Sequence, residues 1–236
     1  MSALGAVLDA LDFSGTLSRW PELAWGALNT IWIAAAAMAG GLVIGGAGAW
    51  AGLSRHRALR LLPAVYVEAF RNTPFLVQAY VMYFGLPAVG LRLTAYPAAL
   101  LSLSLYAGAY ATEIIRAGVE AVPQGQVEAA RSLGLSRLLT LRLVVLRQGV
   151  AAVYPALASQ FVLVMLASSL VSAISVPELT AAANDIQGQT FRSFEAFLVV
   201  AVIYMALTAL LRTGLAGLER RVCTFRFAEG RAAGGT

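Results

Sequence analysis

Charged residues leave this chain for long stretches and return in clusters. No charged side chain occurs between Glu22 and Arg55, Arg71 and Arg92, Arg92 and Glu113, Arg147 and Glu178, or Glu195 and Arg212. The blocks are apolar without the alternation of a half-buried strand, and most approach the ~20 residues that a helix needs to cross ~30 Å of hydrocarbon. Helices are the expected spanning form because they satisfy their own backbone groups. The pattern therefore predicts an all-α membrane protein with five transmembrane helices, over residues 24–52, 62–86, 95–120, 150–174 and 195–216. The last block is short, and Phe194 and Leu215 extend it. A segment over 1–23 precedes a membrane domain over 24–220, and a tail over 221–236 follows.

Composition agrees with that reading. Of the 236 residues, 59% are hydrophobic and only 12% charged, with a mean hydropathy of +0.75. Lipid, not water, is the solvent this implies. The first twenty residues carry Asp9 and Asp12 and lack a basic start, so they do not read as a signal peptide.

All 17 basic residues are arginine, and their placement orients the bundle. With the C-terminus inside, Arg55, Arg57, Arg60, Arg116, Arg131, Arg137, Arg142, Arg147, Arg212, Arg220, Arg221, Arg226 and Arg231 fall in the inner segments, and Arg19, Arg92 and Arg192 outside. Asp9, Asp12, Glu22, Glu178, Asp185 and Glu195 join the outer group. An odd number of spans then puts the N-terminus outside. Orientation also accounts for the isoelectric point near 9.8 better than nucleic-acid binding does, since the arginines flank spans and do not cluster with aromatics.

Residues 121–149 are too long for a plain connection between packed helices. Pro123 stops the preceding span, Gln126 to Leu133 suits a short helix, and Gly134 supplies the left-handed residue that ends one. Ser136 is placed to cap a second segment, where Leu138, Leu139, Leu143 and Val144 alternate with Arg137, Arg142 and Arg147 as in a helix lying along the interface. The small Ala129 and Ala130 would permit close approach by another protein, and Glu128 offers a charge. A solvated loop helix accounts for the same residues equally well.

Ionisable groups inside spans are few and costly, which makes each one a candidate for function. Glu68, Arg71 and Asn72 share a face of the second predicted span, and Glu113 and Arg116 a face of the third. Mutual neutralisation, Glu68 with Arg71 and Glu113 with Arg116 or crosswise, would make them structural. Pro74 opens the second span, either freeing carbonyls to face a cavity or kinking the helix for packing. Gln78 there, and Gln160, Ser168 and Ser169 in the fourth, supply hydrogen-bonding groups for a pathway, although serines also serve close packing. Gly41 and Gly45 have the spacing of a helix contact. Cys223 and His56 read as bystanders.

Glu128-Ala129-Ala130, Gly134, Val144 and Leu146 resemble the EAA loop of binding-protein-dependent ABC importer permeases. Three longer stretches resemble the polar amino-acid branch of that MetI-like family: YVEAFRNTPFLVQAYVMYFGLP from Tyr66, YATEIIRAGVEAVPQGQVEAARSLGLS from Tyr110, and SLVSAISVPELTAAANDIQGQTFRSFEAF from Ser169. The resemblance implies an inner-membrane permease of five-helix subunits, paired with a second copy or a paralogue. It implies a cytoplasmic ATPase dimer docked on Glu128, Ala129, Ala130 and Gly134, and an extracytoplasmic solute-binding protein that delivers an amino acid. Arg147 departs from the family by replacing a usual proline, and Leu166-Ala167 by replacing a frequent Lys-Asp. The loss of that aspartate favours neutral or acidic substrates.

With no lysine the chain cannot carry a P-loop GxxxxGK[ST], so ATP and Mg are expected on the partner and no cofactor here. Neither a metal-ligand cluster nor a catalytic set is legible, which argues against a membrane enzyme. A secondary transporter or channel is the rival reading, but it would usually repeat its spans and would have no use for a docking loop. Orientation is directly testable: a fused phosphatase active only outside should work after Gly90 or Gly188 and be silent after Gly125 or Gly230. Activity after Gly125 would invert the topology.

Overall fold

The computed structural model describes residues 11–222, and no strand occurs among them. A single turn, α1 (Ser14–Leu17), leads into α2 (Trp20–Gly52), where Pro21 sits in the first turn and needs no amide partner. Then come α3 (Arg57–Arg71), α4 (Phe75–Tyr80) and α5 (Ala95–Glu120). The connecting segment holds α6 (Gln124–Ser132) and the one-turn α7 (Arg137–Thr140). The chain continues through α8 (Leu146–Ala167), α9 (Leu179–Thr190) and α10 (Ser193–Val222).

Four stretches are long and apolar enough to cross a membrane: Trp20–Gly52, Ala95–Glu120, Arg137–Ile174 and Ser193–Val222. The second expected span, 62–86, is not one helix. It divides at Asn72, Thr73 and Pro74, because proline has no N–H to donate and pushes the preceding residue toward an extended backbone. Beyond the break α4 loosens into a π turn (Val81–Gly85) and a 3₁₀ turn (Leu86–Val89), which Gly90 closes at φ 87°.

The fourth expected span also differs. No separate interfacial helix precedes residue 150; α7 passes through a π turn at Leu141–Val145 straight into α8, which ends in a 3₁₀ turn over Ser168–Ile174. Leu138, Leu139, Leu141 and Leu143 remain exposed on its lower end, so the amphipathic pattern belongs to the foot of a long span.

Helix pairing follows the small residues. The most extensive contact is α2 on α5, where a Cβ on Gly41 would fall 2.6 Å from Ala107 Cβ and one on Gly45 would fall 2.5 Å from Ala111 Cβ. Backbones this close gain dispersion contacts along their whole length, the main attraction available between helices in lipid. Gly118 and Gly149 repeat the device between α5 and α8, and Gly26 admits the start of α9 against α2. Ile33, Met38, Phe75, Leu103, Val164 and Ile174 fill the central core, and Leu23, Leu179, Ile186 and Val200 fill a second core around α9. Arg192 fastens the N-terminal segment by reaching Asp12 at 3.2 Å and Glu195 at 3.3 Å.

The seam sets a graded expectation. Gly45→Leu should cost roughly 1–3 kcal/mol through overpacking and lower the melting temperature in detergent. Gly46→Ala, whose new Cβ would meet nothing within 4 Å, should be neutral or slightly stabilising. Equal melting temperatures for the two variants would refute the seam.

Candidate functional site

The loop helix α6 is closed by a pair of backbone bonds: Leu135 N donates to Ala130 O at 3.2 Å and Gly134 N donates to Arg131 O at 2.9 Å. This is the Schellman arrangement, and it requires the left-handed residue that Gly134 provides at φ 77°. Ser136 then caps α7 by accepting from Leu139 N at 3.3 Å. Gln148 donates to Gln126 and ties α6 to the foot of α8.

Glu128 and Ala129 lie on the exposed face of α6. Ala130 does not: it is 5% exposed and packs inward within its own chain. An inward residue three from the helix end is what the Schellman closure favours, since the chain that folds back places Leu135 near it. A shallow groove lined by Ala129, Leu133, Leu143, Val144 and Arg147 runs beside the helix.

At the break, polar side chains replace the lost backbone bonds. Gln78 Nε2 donates to Phe70 O at 2.7 Å, to Thr73 O at 3.1 Å and to Thr73 Oγ1 at 2.8 Å. Buried carbonyls released by Pro74 are thereby satisfied, which gives Gln78 a structural task. Its Oε1 is buried without a partner.

The charges around the break form one chain. Glu113 receives Arg116 Nε at 3.1 Å and Nη2 at 3.0 Å, with Arg71 at 3.9 Å, and Arg116 also donates to both Glu120 oxygens at 2.7 Å. Arg71 lies 5.3 Å from the centre of the Tyr110 ring. The expected Glu68–Arg71 pair does not form, because Glu68 Oε1 accepts from Asn72 Nδ2 at 2.7 Å. The expected Glu113–Arg116 pair forms along α5, and Arg71 of α3 adds one longer crosswise contact to the same Glu113.

The polar residues of α8 divide. Ser168 and Ser169 return their hydroxyls to Met165 O and Leu166 O, both at 2.7 Å, and so are occupied by their own helix. Gln160 is 4% exposed and its Nε2 has no partner. A donor left unpaired inside a span is uncommon and marks Gln160 more strongly than either serine.

Glu178 is a feature the sequence hides. It sits between the long spans, 1% exposed, capping α9 by accepting from Thr180 N at 2.9 Å and Ala181 N at 2.8 Å. The Tyr204 hydroxyl donates to it at 2.8 Å, Thr30 approaches at 3.5 Å, and Asn29 Nδ2 donates to the neighbouring Pro177 O at 2.8 Å. One carboxylate thus joins α2, α9 and α10. Its only local sign is an acid just before Leu179-Thr180, which reads as an outer-loop charge.

These features describe a helical membrane protein with one broken span and a capped helix on its longest connection, and the family match makes it a component of a transport system. The chain belongs to the binding-protein-dependent transport system inner membrane components, whose family model matches residues 41–223. The glutamine transport system permease protein GlnP of Escherichia coli K12 is 36% identical over 220 residues, 89% of this chain and 97% of that protein. The L-cystine transport system permease protein TcyB of Bacillus subtilis is 36% identical over 209 residues, 87% and 88% of the two chains. A crystal structure of an amino acid ABC transporter with histidines contains a chain 34% identical to this one, with a TM-score of 0.84 over 90% of this chain and 99% of that chain.

Burial raises the Glu178 carboxyl above its ordinary value, offset in part by the hydrogen bonds from Thr180, Tyr204, Ala181 and Thr30. A raised acid holds its proton more tightly when folded, so its contribution to stability falls as pH rises from about 4.5 toward the folded value. Glu178→Gln cannot ionise and should remove this part of the slope. Melting curves in detergent from pH 4 upward, taken as wild type minus variant, should decline; a flat difference would show that the carboxylate is not linked to folding.

Proposed function

We propose that the chain forms half of the pathway through which an ATP-binding-cassette importer passes an amino acid into the cytoplasm. The observation that carries this is α6: a helix closed by its own glycine cap, presenting Glu128 and Ala129 outward and tied to the foot of a span. A cytoplasmic ATPase dimer holding ATP and Mg docks on that face, with Gly134 fixing its geometry and Ala130 supporting it from behind. A second copy or a paralogue completes the membrane unit. An extracytoplasmic solute-binding protein loads it from the side of Gly90 and Gly188, with five crossings and the N-terminus outside.

The substrate is a polar amino acid, neutral or acidic. Relatives named for glutamine and cystine support that class, as does the lack of an acid at Leu166 and Ala167. A second positive charge from a cationic side chain would be poorly compensated there in low dielectric. Gln160 is the best placed of the hydrogen-bonding candidates on α8, while Arg71, Asn72 and Gln78 hold the broken span.

Two substitutions separate docking from folding. Ala129→Glu leaves the packed face of α6 untouched, and Gly134→Val forces a β-branched residue into the left-handed region. Both should insert at normal levels, yet lose roughly tenfold or more of the ATP hydrolysis stimulated by loaded binding protein, and uptake with it. Full stimulation and uptake in Ala129→Glu would remove α6 as the transmission element.

A further inference from the structure

Between α2, α8 and α10 runs a groove of about 430 Å³ in which every lining side chain is apolar. Ala34, Met38 and Met165 form its buried floor, and Ile31 and Leu210 stand exposed on its rim. The groove begins where α9 stops. That helix packs against both α2 and α10 and fills the wedge between them with Leu179 and Ile186. Leu207 packs on the edge of the core around α9 and also lines the groove, so the two are continuous. From there the groove runs toward the end of the bundle where α2 gives way to Arg55 and Arg57 and α10 reaches Arg220 and Arg221.

Its dimensions select what can lie in it. Ile31 to Leu42 is about 16 Å of helix at ~1.5 Å per residue, close to the ~15 Å that one leaflet contributes to a ~30 Å hydrocarbon core. Spread over that length, the volume is a cross-section of roughly 27 Å², a third of the ~80 Å² filled by a helix ~10 Å across. A span from a second copy does not enter so narrow a channel, whereas one extended hydrocarbon chain does. Lipid tails are as apolar as the lining, so the attraction is packing: a gap between apolar walls forfeits dispersion contacts along both of them. Met38 and Met165 give the floor side chains that adapt to an irregular occupant.

We propose that this groove holds one acyl chain of a membrane phospholipid, drawn from the leaflet at the arginine-rich end. The chain continues beyond α9 the packing that α9 supplies beside it, and keeps α10 at its distance from α2. Arginines following α2 and closing α10 complement the phosphate where the groove opens. The site does not depend on which solute the protein carries.

The full-length protein, with the subunits that co-purify with it, is reconstituted in vesicles of phosphatidylcholine and phosphatidylglycerol. A trace of the phosphatidylglycerol carries a diazirine near the middle of one acyl chain. After illumination, adducts are mapped by mass spectrometry in wild type, Ala35→Phe, Ala39→Phe and Leu210→Ala. Ala35 and Ala39 are exposed on the α2 wall one turn apart, so a phenylalanine at either fills the groove without entering the core. Val202, exposed on α10 outside the groove, reports lipid that merely surrounds the bundle.

Wild-type adducts at Phe161 and Leu211, two half-buried lining residues, should exceed those at Val202 several-fold. They should fall to the Val202 level in both phenylalanine variants and persist in Leu210→Ala, which leaves the channel open. An unchanged Val202 adduct shows that each variant is folded in the bilayer. Even labelling of Phe161, Leu211 and Val202 in wild type overturns the site, and so does enrichment that survives both phenylalanine variants. Absence of adducts at Phe161 and Leu211 overturns it as well, and cross-links between copies from a photoreactive residue placed at Leu210 would then assign the groove to a second copy.

Discussion

Close backbone approach between α2 and α5 is the constraint on which the rest of the bundle depends. Lipid removes the hydrophobic drive between helices, so packing area and geometry must hold them together. Gly41 and Gly45 against Ala107 and Ala111 leave no room for a Cβ, and that distance places every element that leans on the pair. Phe75 and Ala79 of the broken span enter the same core, as do Val164 and Ile174 from the far side.

Polar bridges do work that the seam cannot. Gln78 repairs the carbonyls freed at Pro74, and Glu178 gathers donors from three helices around α9. Each stands where the backbone departs from a regular helix. Irregular backbone within or beside a membrane is tolerated only where protein groups satisfy it, and here single side chains meet that need. The ion chain from Arg71 to Glu120 belongs to the same category, with two acids and two bases leaving little net charge beside the break.

Much of this was legible in the residues alone. Charge-free blocks gave the apolar spans, Gly41 and Gly45 the helix contact, and Pro123, Gly134 and Ser136 the boundaries of the loop helix, because caps and glycine act locally and leave a local signature. Three things were hidden by their dependence on distant partners. Pro74 announces an opening of the second span, but whether the helix kinks there or divides, as it does, is set by tertiary packing and by Gln78. Leu138 and Leu143 carry the same alternation whether they lie along an interface or form the foot of a span. Glu178 looks like an outer-loop charge until Thr30 and Tyr204, 148 residues before it and 26 after it, are brought alongside. Cys223 and the tail beyond Val222 fall outside the described residues.

The stretch from Arg137 to Ile174 is one rod of 38 residues, about 57 Å long at ~1.5 Å per residue. Its two departures from regular α-helix before the closing 3₁₀ turn, the π turn at Leu141–Val145 and the internal Pro155, both lie in its lower half. Above Pro155 it is regular α-helix up to Ala167. A lever built this way bends near its handle and not near its tip, so a small tilt imposed at the foot reaches Gln160 and Ser168 as sideways travel, enlarged by the length of the arm.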